Sequence, residues 1–356
     1  MNLKELWKLW NQKLKKKIGK TKIGKKSSFL LFLAFLSVFI FLVLLSFAPK
    51  NLNSKDIILV YIPQGSSSLE VGKILSKKGI INWDYGFWLW CKILGVERKL
   101  KFGYYKLSPQ EDLFEIINKL IKGTVETLKF TIPEGSTLEN IADILESKLH
   151  LSKETFLKLA ENPKNLGKIK DYFKDEIPTT LEGYLFPATY DVPLDLKEED
   201  IIYILLRTFF NKLDIEIPNW REELKKRNMT LKEWVTLASI VEKEAKYDDE
   251  RPLIAGTFLN RIKLGYKLQS CATVEYIYKF KKPVLSYNDL KIDSPYNTYI
   301  YYGLPPSPIC SPSINSLKAV LYPQGDYLFF VSKGDGRHYF SKTYEEHLRF
   351  QRSNEK

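Results

Sequence analysis

Twenty consecutive residues without a charge, Phe29 to Ala48, constrain this chain more than any other feature of its sequence. A helix rises about 1.5 Å per residue, so a segment of this length spans the ~30 Å hydrocarbon core of a bilayer. A cleaved signal peptide is the alternative. Its apolar region is usually only about 7–15 residues long and ends at small residues such as Ala-x-Ala, which do not follow here. The segment therefore predicts a single transmembrane helix.

The charge distribution predicts the orientation of that helix. Residues 1–28 hold ten lysines and one glutamate, whereas the rest of the chain carries 45 basic and 41 acidic residues. Lysine-rich flanks stay on the cytoplasmic side of a membrane. We therefore expect a basic cytoplasmic tail (1–28), a transmembrane helix (29–48) in the inner, cytoplasmic membrane and a catalytic region outside the cytoplasm. The nearly balanced charge of the remaining chain argues against a nucleic-acid partner.

Three cysteines and three histidines could in principle ligate a metal ion: Cys91, Cys271, Cys310, His150, His338 and His347. They show no metal-binding spacing such as Cys-x-x-Cys and do not cluster along the sequence, so we predict neither a metal nor a cofactor. Outside the cytoplasm one disulfide could form, and Cys271–Cys310 is then the expected pair. Three small apolar packing residues are the equally supported alternative.

After a short linker (49–56), the sequence repeats itself. The segment VYIPQGS at Val60–Ser66 recurs as FTIPEGS at Phe130–Ser136. In each copy a strand ends at the proline, and a Gly-Ser turn then precedes an amphipathic helix. A second helix is predicted next in each copy, at Asp84–Leu94 and at Lys153–Asn162.

A Gly-Tyr strand is predicted to close each copy, at Gly103–Tyr105 and at Gly183–Leu185. This strand–helix–helix–strand order resembles LysM-like modules, which bind aminosugar polymers. We therefore predict a LysM-like module at 57–125 and a second LysM-like repeat at 126–190. A duplicated packing unit without a ligand is the alternative. The aromatic residues of the first copy could either stack on sugars or fill the core, and the sequence does not separate the two roles. These residues are Trp83, Tyr85, Phe87, Trp88, Trp90, Tyr104 and Tyr105.

Residues 191–356 are predicted to form a mainly helical core with long loops rich in proline and tyrosine, which are typical of a binding cleft. The predicted elements are helices at Ile201–Leu213, Thr230–Lys246, Arg251–Leu264 and near Ser313–Leu321, and a small hairpin of Tyr327–Val331 with Arg337–Phe340. The overall fold class is therefore α+β.

The helix after Thr230 carries two candidate acids. Its sequence opens with a capping box, Thr230 to Glu233, and its apolar residues share one face: Leu231, Trp234, Leu237, Ala238, Val241 and Ala245. Glu242 and Glu244 fall on opposite edges of that stripe. A carboxyl group at such an edge can be partly desolvated, which raises its pKa and lets it donate a proton near neutral pH. A solvated Glu-Lys-Glu surface triplet is the alternative, and helical geometry does not choose between the two acids.

Five sequence blocks together resemble the MltG (YceG-like) family of endolytic murein transglycosylases. They occur in the order LEGYLFPATY (Leu181–Tyr190), ASIVEKEA (Ala238–Ala245), FLNRIKLGYKLQS (Phe258–Ser270), SPYNTY (Ser294–Tyr299) and GLPPSPICSPS (Gly303–Ser313). The resemblance covers about Ile57 to the C-terminus and identifies 126–356 as a YceG-like catalytic region, with its catalytic core at 191–356.

The resemblance implies cleavage of the bond between N-acetylmuramic acid (MurNAc) and N-acetylglucosamine (GlcNAc) in glycan strands, leaving anhydro-MurNAc ends. The catalytic glutamate, acting first as acid and then as base, falls on Glu244, and Glu242 falls on a supporting position. Glu182 is expected to orient the substrate or the Glu244 side chain, and the alternative is that it only secures a turn. Seven further residues carry amide, hydroxyl or ring groups that suit sugar binding, and structural hydrogen bonds are the alternative role for each. They are Asn260, Gln269, Ser270, Tyr296, Asn297, Thr298 and Tyr299. The implied partners are peptidoglycan glycan strands, the cytoplasmic membrane and, as a further candidate, peptidoglycan synthases.

Two other functions remain as alternatives. A lysozyme-type hydrolase of the same bond would need a second carboxylate to hold water, for which Glu182 is the candidate. A non-catalytic peptidoglycan-binding scaffold would not need the intact Glu-Lys-Glu motif. One departure from the family is that many members have an aspartate where Cys271 lies, so we assign no catalytic role to that position.

Overall fold

The computed structural model describes residues 29–30, 32–37, 49–51, 56–123, 127–173, 176–193, 196–282 and 284–354. The predicted tail (1–28) and most of the predicted transmembrane segment lie outside these residues. Residues 29–30 and 32–37 are helical. Among the described residues, no helix has both the length and the apolar character needed to cross a bilayer. The chain divides into two compact units, residues 1–127 and 128–356.

The N-terminal unit contains the first copy of the repeat. Its elements are β1 (Ile58–Ile62), α1 (Ser68–Lys77), α2 (Asp84–Ile93), β2 (Gly103–Leu107) and α3 (Leu113–Lys122). Strands β1 and β2 pair antiparallel, with Val60 opposite Tyr105. The strand–helix–helix–strand order predicted for this copy is therefore present, and α3, which the sequence reasoning did not predict, adds to its core.

The second copy leads into the C-terminal unit. Its elements are β3 (Thr127–Thr131), α4 (Leu138–Leu149), α5 (Lys153–Glu161) and β4 (Thr189–Pro193), and β3 pairs with β4. The closing strand predicted at Gly183–Leu185 is wrong, because these residues form a turn. Gly183 has φ +85°, and a Cβ atom there would lie 2.4 Å from Cβ of Pro308. Only glycine fits such a left-handed, tightly packed position, which is why the Gly-Tyr pattern marks a turn here.

The remaining elements surround a central helix. They are α6 (Glu198–Glu216), α7 (Trp220–Lys226), α8 (Leu231–Glu244), α9 (Arg251–Lys263), α10 (Cys271–Ile277), α11 (Ile314–Leu321), β5 (Phe329–Ser332), β6 (His338–Ser341) and α12 (Tyr344–Asn354). The predicted four helices and the hairpin are confirmed, whereas α7, α10 and α12 were not predicted. Short 3₁₀ turns occur at Glu97–Lys99, Pro163–Asn165, Ile169–Asp171, Asp248–Glu250 and Asp289–Lys291.

Helix α8 is the buried centre of the C-terminal unit. The predicted capping box is formed, because Thr230 Oγ1 accepts the Glu233 N–H and Glu233 accepts the Thr230 N–H. Every residue from 234 to 241 is buried, so burial on α8 extends beyond the predicted apolar stripe to Thr236 and Ser239. The reason is tertiary: α9, α10 and α11 all pack on α8. Trp234 Nε1 also donates to the Leu317 carbonyl at 2.9 Å and ties α8 to α11.

Candidate active site

Glu244 is the last residue of α8, and its carboxyl group meets the loop that precedes α10. Ser270 Oγ donates a hydrogen bond to Oε1 of Glu244. Ser270 is buried, and its backbone N–H donates to Oγ1 of Thr298 at 3.1 Å. Gln269 has φ +50°, a left-handed conformation that is uncommon outside glycine and costs free energy wherever it is held. Its N–H donates to the Thr298 carbonyl at 3.1 Å, so the SPYNTY block fixes the serine that contacts Glu244.

The surroundings of Glu244 favour its protonated form. Burial raises the pKa of this carboxyl group, and the charge of Glu275 raises it further. The Ser270 hydrogen bond, the charge of His338 and the Ala272 backbone act in the opposite direction but do not cancel the effect of burial. A glutamate with a raised pKa can hold a proton at a pH where an exposed glutamate has lost it. Glu244 is therefore suited to general acid chemistry.

Three further polar groups influence or border this carboxyl group. The Tyr299 hydroxyl lies 3.1 Å from Sγ of Cys271, and burial raises the pKa of both groups, with the charge of Glu244 adding to each shift. Arg261 is held by main-chain carbonyls, because its Nε donates to Leu328 and its guanidinium to Leu268, each at 2.6 Å. Burial lowers the pKa of Arg261, and the charges of Tyr299 and Glu244 raise it.

Of the two alternatives for the cysteines, the structure shows the one without a disulfide, since Cys91, Cys271 and Cys310 are all free thiols. Cys271 is exposed beside Tyr299, whereas Cys310 is buried against α8, with its Sγ donating to the Ser239 carbonyl at 3.3 Å. The two thiols therefore pack in different surroundings, and the packing alternative describes Cys310 and also the buried Cys91.

His338 is an electrostatic neighbour of Glu244 that the sequence reasoning missed. It lies on β6, where its Nδ1 is 2.9 Å from Oε2 of the buried Glu250 and its N–H donates to the other oxygen at 3.0 Å. Because its charge lowers the pKa of Glu244, the hairpin belongs to the electrostatic environment of the site. The hairpin itself was predicted, but no periodicity in the sequence indicates that it folds back towards the end of α8. There Lys246 Nζ donates to the Asp335 carbonyl at 3.2 Å.

Glu242 occupies the opposite edge of α8 and makes structural contacts. Its Oε2 accepts from the Arg251 guanidinium at 3.0 Å, from the Ser313 N–H at 2.9 Å and from the hydroxyls of Ser313 and Ser316 at 2.5 and 2.8 Å. Ser313 is the N-cap of α11. The side chains of Glu242 and Arg251 are 6% and 7% exposed, so this is a buried ion pair at a helix start. Glu242 joins three helices.

Glu182 performs a similar structural task in the LEGYLFP block. Both of its carboxylate oxygens lie 3.1 Å from the Leu138 nitrogen at the start of α4, and Tyr276 donates to Oε2 at 3.3 Å. Burial raises the pKa of Glu182 to about 8, although the hydrogen bonds from Leu138 and Tyr276 lower it. These contacts support the alternative in which Glu182 secures the fold, and a role in orienting substrate or Glu244 stays a prediction.

The raised pKa of Glu182 predicts a pH-dependent stability. The folded protein binds this proton more tightly than the unfolded chain does, so its contribution is complete below pH 4.5 and is lost as the pH rises to about 8. Glu182→Gln keeps the shape of the side chain and stays neutral at every pH. The free energy of unfolding of this variant should therefore fall less than that of the wild type between pH 4.5 and about 8. Urea unfolding at several pH values measures the difference. If the free energy of unfolding changed equally with pH in wild type and variant, the raised pKa of Glu182 would be contradicted.

The other predicted site residues hold the loops together. Asn260 Nδ2 donates to the Tyr327 carbonyl at 3.0 Å, and Asn297 Nδ2 donates to the carbonyls of Leu290 and Ile292 at 3.0 and 2.9 Å. The Tyr296 and Ser307 hydroxyls lie 2.5 Å apart, which joins the SPYNTY block to the GLPPSP block. The structure thus brings the other four blocks together around α8, which carries the ASIVEKEA block, and contacts of these residues with a sugar stay predictions.

Comparison with known proteins identifies the family. The sequence profile of the YceG-like family matches residues 60–353. A protein of Bacillus subtilis named endolytic murein transglycosylase is 34% identical over 311 residues, which cover 84% of this chain and 85% of that protein. A Streptococcus pneumoniae protein of the same name is 32% identical over 354 residues, and there the match spans only 63% of the relative's length.

A solved structure is also similar. The crystal structure of a yceG-like protein from Listeria monocytogenes is 38% identical, with a TM-score of 0.56 over 83% of this chain and 99% of that one. The family resemblance predicted from the five blocks is confirmed by these matches. The chain belongs to the YceG-like family.

Proposed function

We propose that this protein is an endolytic lytic transglycosylase that cuts peptidoglycan glycan strands at the bond between MurNAc and GlcNAc. The observation that carries the proposal is Glu244, a carboxyl group whose pKa is raised by burial and which lies where the family's sequence blocks meet. The names of the Bacillus subtilis and Streptococcus pneumoniae relatives support the same reaction.

The proposed reaction uses one glutamate twice. Protonated Glu244 donates its proton to the bridging oxygen as the bond from the anomeric carbon to that oxygen breaks, and positive charge develops on the muramic sugar. The resulting carboxylate then takes the proton of the same sugar's 6-hydroxyl, whose oxygen bonds to the anomeric carbon. The ring so formed is the anhydro-MurNAc end. No water is consumed, and Glu244 ends the cycle protonated.

Analysis of the products distinguishes this reaction from hydrolysis. Mass spectrometry of strands cut by the purified full chain should find anhydro-MurNAc ends, which are lighter by one water than reducing ends. Reducing ends would support the lysozyme-type hydrolase. Both oxygens of its candidate second carboxylate, Glu182, accept from the Leu138 N–H, which does not favour a role in holding water. Binding without cleavage would support the non-catalytic scaffold.

We also propose that the N-terminal unit is a LysM-like module that binds the glycan strand. A pocket of about 510 Å³ opens between the loop after β1 and the loop before β2. Hydroxyl groups from Ser66 and Ser67 and the ring of Phe102 line it, and Phe102 is 57% exposed. Hydroxyls together with an exposed ring suit a sugar that offers both hydroxyl groups and apolar faces.

Phe102→Ala should weaken strand binding. Loss of an aromatic contact typically costs about 0.5–1.5 kcal/mol beyond the buried area, so a several-fold weaker affinity is expected. Cosedimentation with glycan strands in a Glu244→Gln background measures it without cleavage. Phe114→Ala is the matched control, because Phe114 is 48% exposed on α3 and does not line the pocket. Equal losses for both variants would remove the pocket from the binding proposal.

We propose further that the chain is a single-pass protein of the cytoplasmic membrane with its catalytic region outside. The lysine-rich residues 1–28 ahead of the apolar segment Phe29–Ala48 support this orientation. A reporter enzyme that is active only after export, fused after Lys356, should therefore be active. Activity of a reporter that works only in the cytoplasm, fused at the same point, would overturn the orientation and with it access to the substrate.

A further inference from the structure

Helix α2 has apolar side chains on both of its faces. Phe87 and Cys91 face the core of the N-terminal unit and are fully buried. The opposite face carries Tyr85, Trp88, Leu89, Lys92 and Ile93, of which Tyr85 is 53% and Ile93 58% exposed. A surface helix normally places charged and polar residues on its outer side. The outer face of α2 therefore needs an explanation other than the packing of its own unit.

The repeat supplies an internal comparison. Helix α5 holds the equivalent place in the second copy, and it likewise buries one face, through Phe156 and Ala160. Its outer face is polar, with exposed Glu154, Thr155, Lys158 and Glu161. The strand–helix–helix–strand unit thus folds with an ordinary polar surface at this position. The apolar surface of α2 is a property of the first copy alone.

The chain that follows the apolar segment Phe29–Ala48 arrives close to the start of α2. Asn51 N–H donates to the Pro109 carbonyl at 3.0 Å. Lys50 Nζ lies 4.0 Å from the position that a Cβ atom on Gly79 would take, and Gly79 precedes α2 by one short turn. If residues 29–48 cross the membrane, the bilayer surface lies next to the beginning of this helix.

We propose that the outer face of α2 docks into the interface of the membrane from which the chain emerges. Tyrosine and tryptophan concentrate at the boundary between headgroups and acyl chains, where an apolar ring is buried and its polar edge stays hydrated. Lys92 Nζ lies 5.0 Å from the centre of the Trp88 ring, so a cation lies beside the ring on this face, where it can pair with a lipid phosphate. The proposal goes beyond strand cleavage and rests on the proposed membrane anchor.

Spin labels can locate this face relative to the lipid. Cysteine is introduced at Tyr85 or Ile93 in the full chain with Cys271→Ser, so that the introduced thiol is exposed while Cys91 and Cys310 stay buried. The protein is placed in bilayer discs of phosphatidylethanolamine and phosphatidylglycerol. Relaxation of each label is then measured with oxygen, which concentrates in lipid, and with a water-soluble nickel complex. Glu154→Cys on α5 is the matched control.

We expect a higher ratio of oxygen to nickel relaxation at positions 85 and 93 than at position 154. Ratios equal to that at 154, in protein that comigrates with the discs, would overturn docking and leave the anchor intact. If the labels became less accessible to nickel only after glycan strands were added, the outer face of α2 would bind sugar and not lipid, which would also overturn docking. Failure of the chain to comigrate with discs would remove the anchor on which the inference rests. Cleavage of free strands by the unsubstituted full chain in the same discs reports on the proposed activity separately.

Discussion

Glu244→Gln is expected to abolish most glycan-strand cleavage while leaving the fold in place. A general acid–base group typically contributes about 10²–10⁴-fold, and an acid that serves both steps should lie at or above the upper end. Glutamine keeps the size of the side chain and can still accept the Ser270 hydrogen bond, but it has no proton to donate. Release of soluble fragments from purified strands measures the loss. Cleavage at the wild-type rate would refute the assignment.

Glu275→Gln is the matched control for that experiment. Glu275 raises the pKa of Glu244 through its charge, so its removal should leave the proton donor in place but lower that pKa. Cleavage requires protonated Glu244 and therefore falls as the pH rises through its pKa. The alkaline limb of the activity profile should move to lower pH in this variant, with little change in the maximal rate. An unmoved limb would show that another group controls it.

Glu242→Ala is expected to destabilise the C-terminal unit by about 3–5 kcal/mol, the usual cost of breaking a buried ion pair by removing one partner. The change leaves the Arg251 guanidinium and the Ser313 and Ser316 donors without their common acceptor. Denaturant unfolding measures the loss as a lower midpoint. Glu222→Ala on α7 is the control, because an exposed substitution usually changes stability by no more than about 0.5 kcal/mol.

A double variant tests the mechanism of that loss. Glu242→Leu combined with Arg251→Met replaces both charges by apolar groups of similar size, which is often neutral for an isolated buried pair. Recovery should be incomplete here, since the Ser313 N–H and hydroxyl at the start of α11 stay unpaired. If the single variant Glu242→Ala unfolded at the same denaturant midpoint as the wild type, the Glu242–Arg251 pair would contribute no net stability.

Local rules predicted the helices well. The capping box at Thr230 and the 3.6-residue period identified α8, and the same period placed Glu242 and Glu244 on opposite edges. Which edge carries chemistry could not be predicted from the helix itself. Glu242 meets Arg251 and Ser313, whereas Glu244 meets Ser270. All three partners lie outside α8, with Ser313 71 residues from Glu242 and Ser270 26 residues from Glu244, so the difference between the two acids is tertiary.

The errors also have physical causes. The turn at Gly183 was predicted as a strand because glycine followed by tyrosine also begins β2, where Gly103 sits in a ladder opposite Ile62. The burial of residues 234–241 beyond the apolar stripe of α8 depends on the packing of α9, α10 and α11, which the period of α8 does not encode. His338 was missed because its partner Glu250 lies in a short 3₁₀ turn far away along the chain. The sequence left a Cys271–Cys310 disulfide and simple packing open as alternatives, because sequence blocks do not give the distance between two thiols.

Two main-chain hydrogen bonds link the beginning of the catalytic region to a loop near its end. Gly135 N–H donates to the Ser311 carbonyl at 2.9 Å, and Ser311 N–H donates to the Ser136 carbonyl at 2.8 Å. Closing so long a loop costs chain entropy that later contacts must offset. The loop that carries Ser311 also supplies the cap beside Glu242, so α8 gains its final neighbours only after this segment arrives. A chain that ends before this loop therefore lacks the last neighbours of α8, and the surroundings of Glu242 and Glu244 are complete only when nearly the whole sequence has folded.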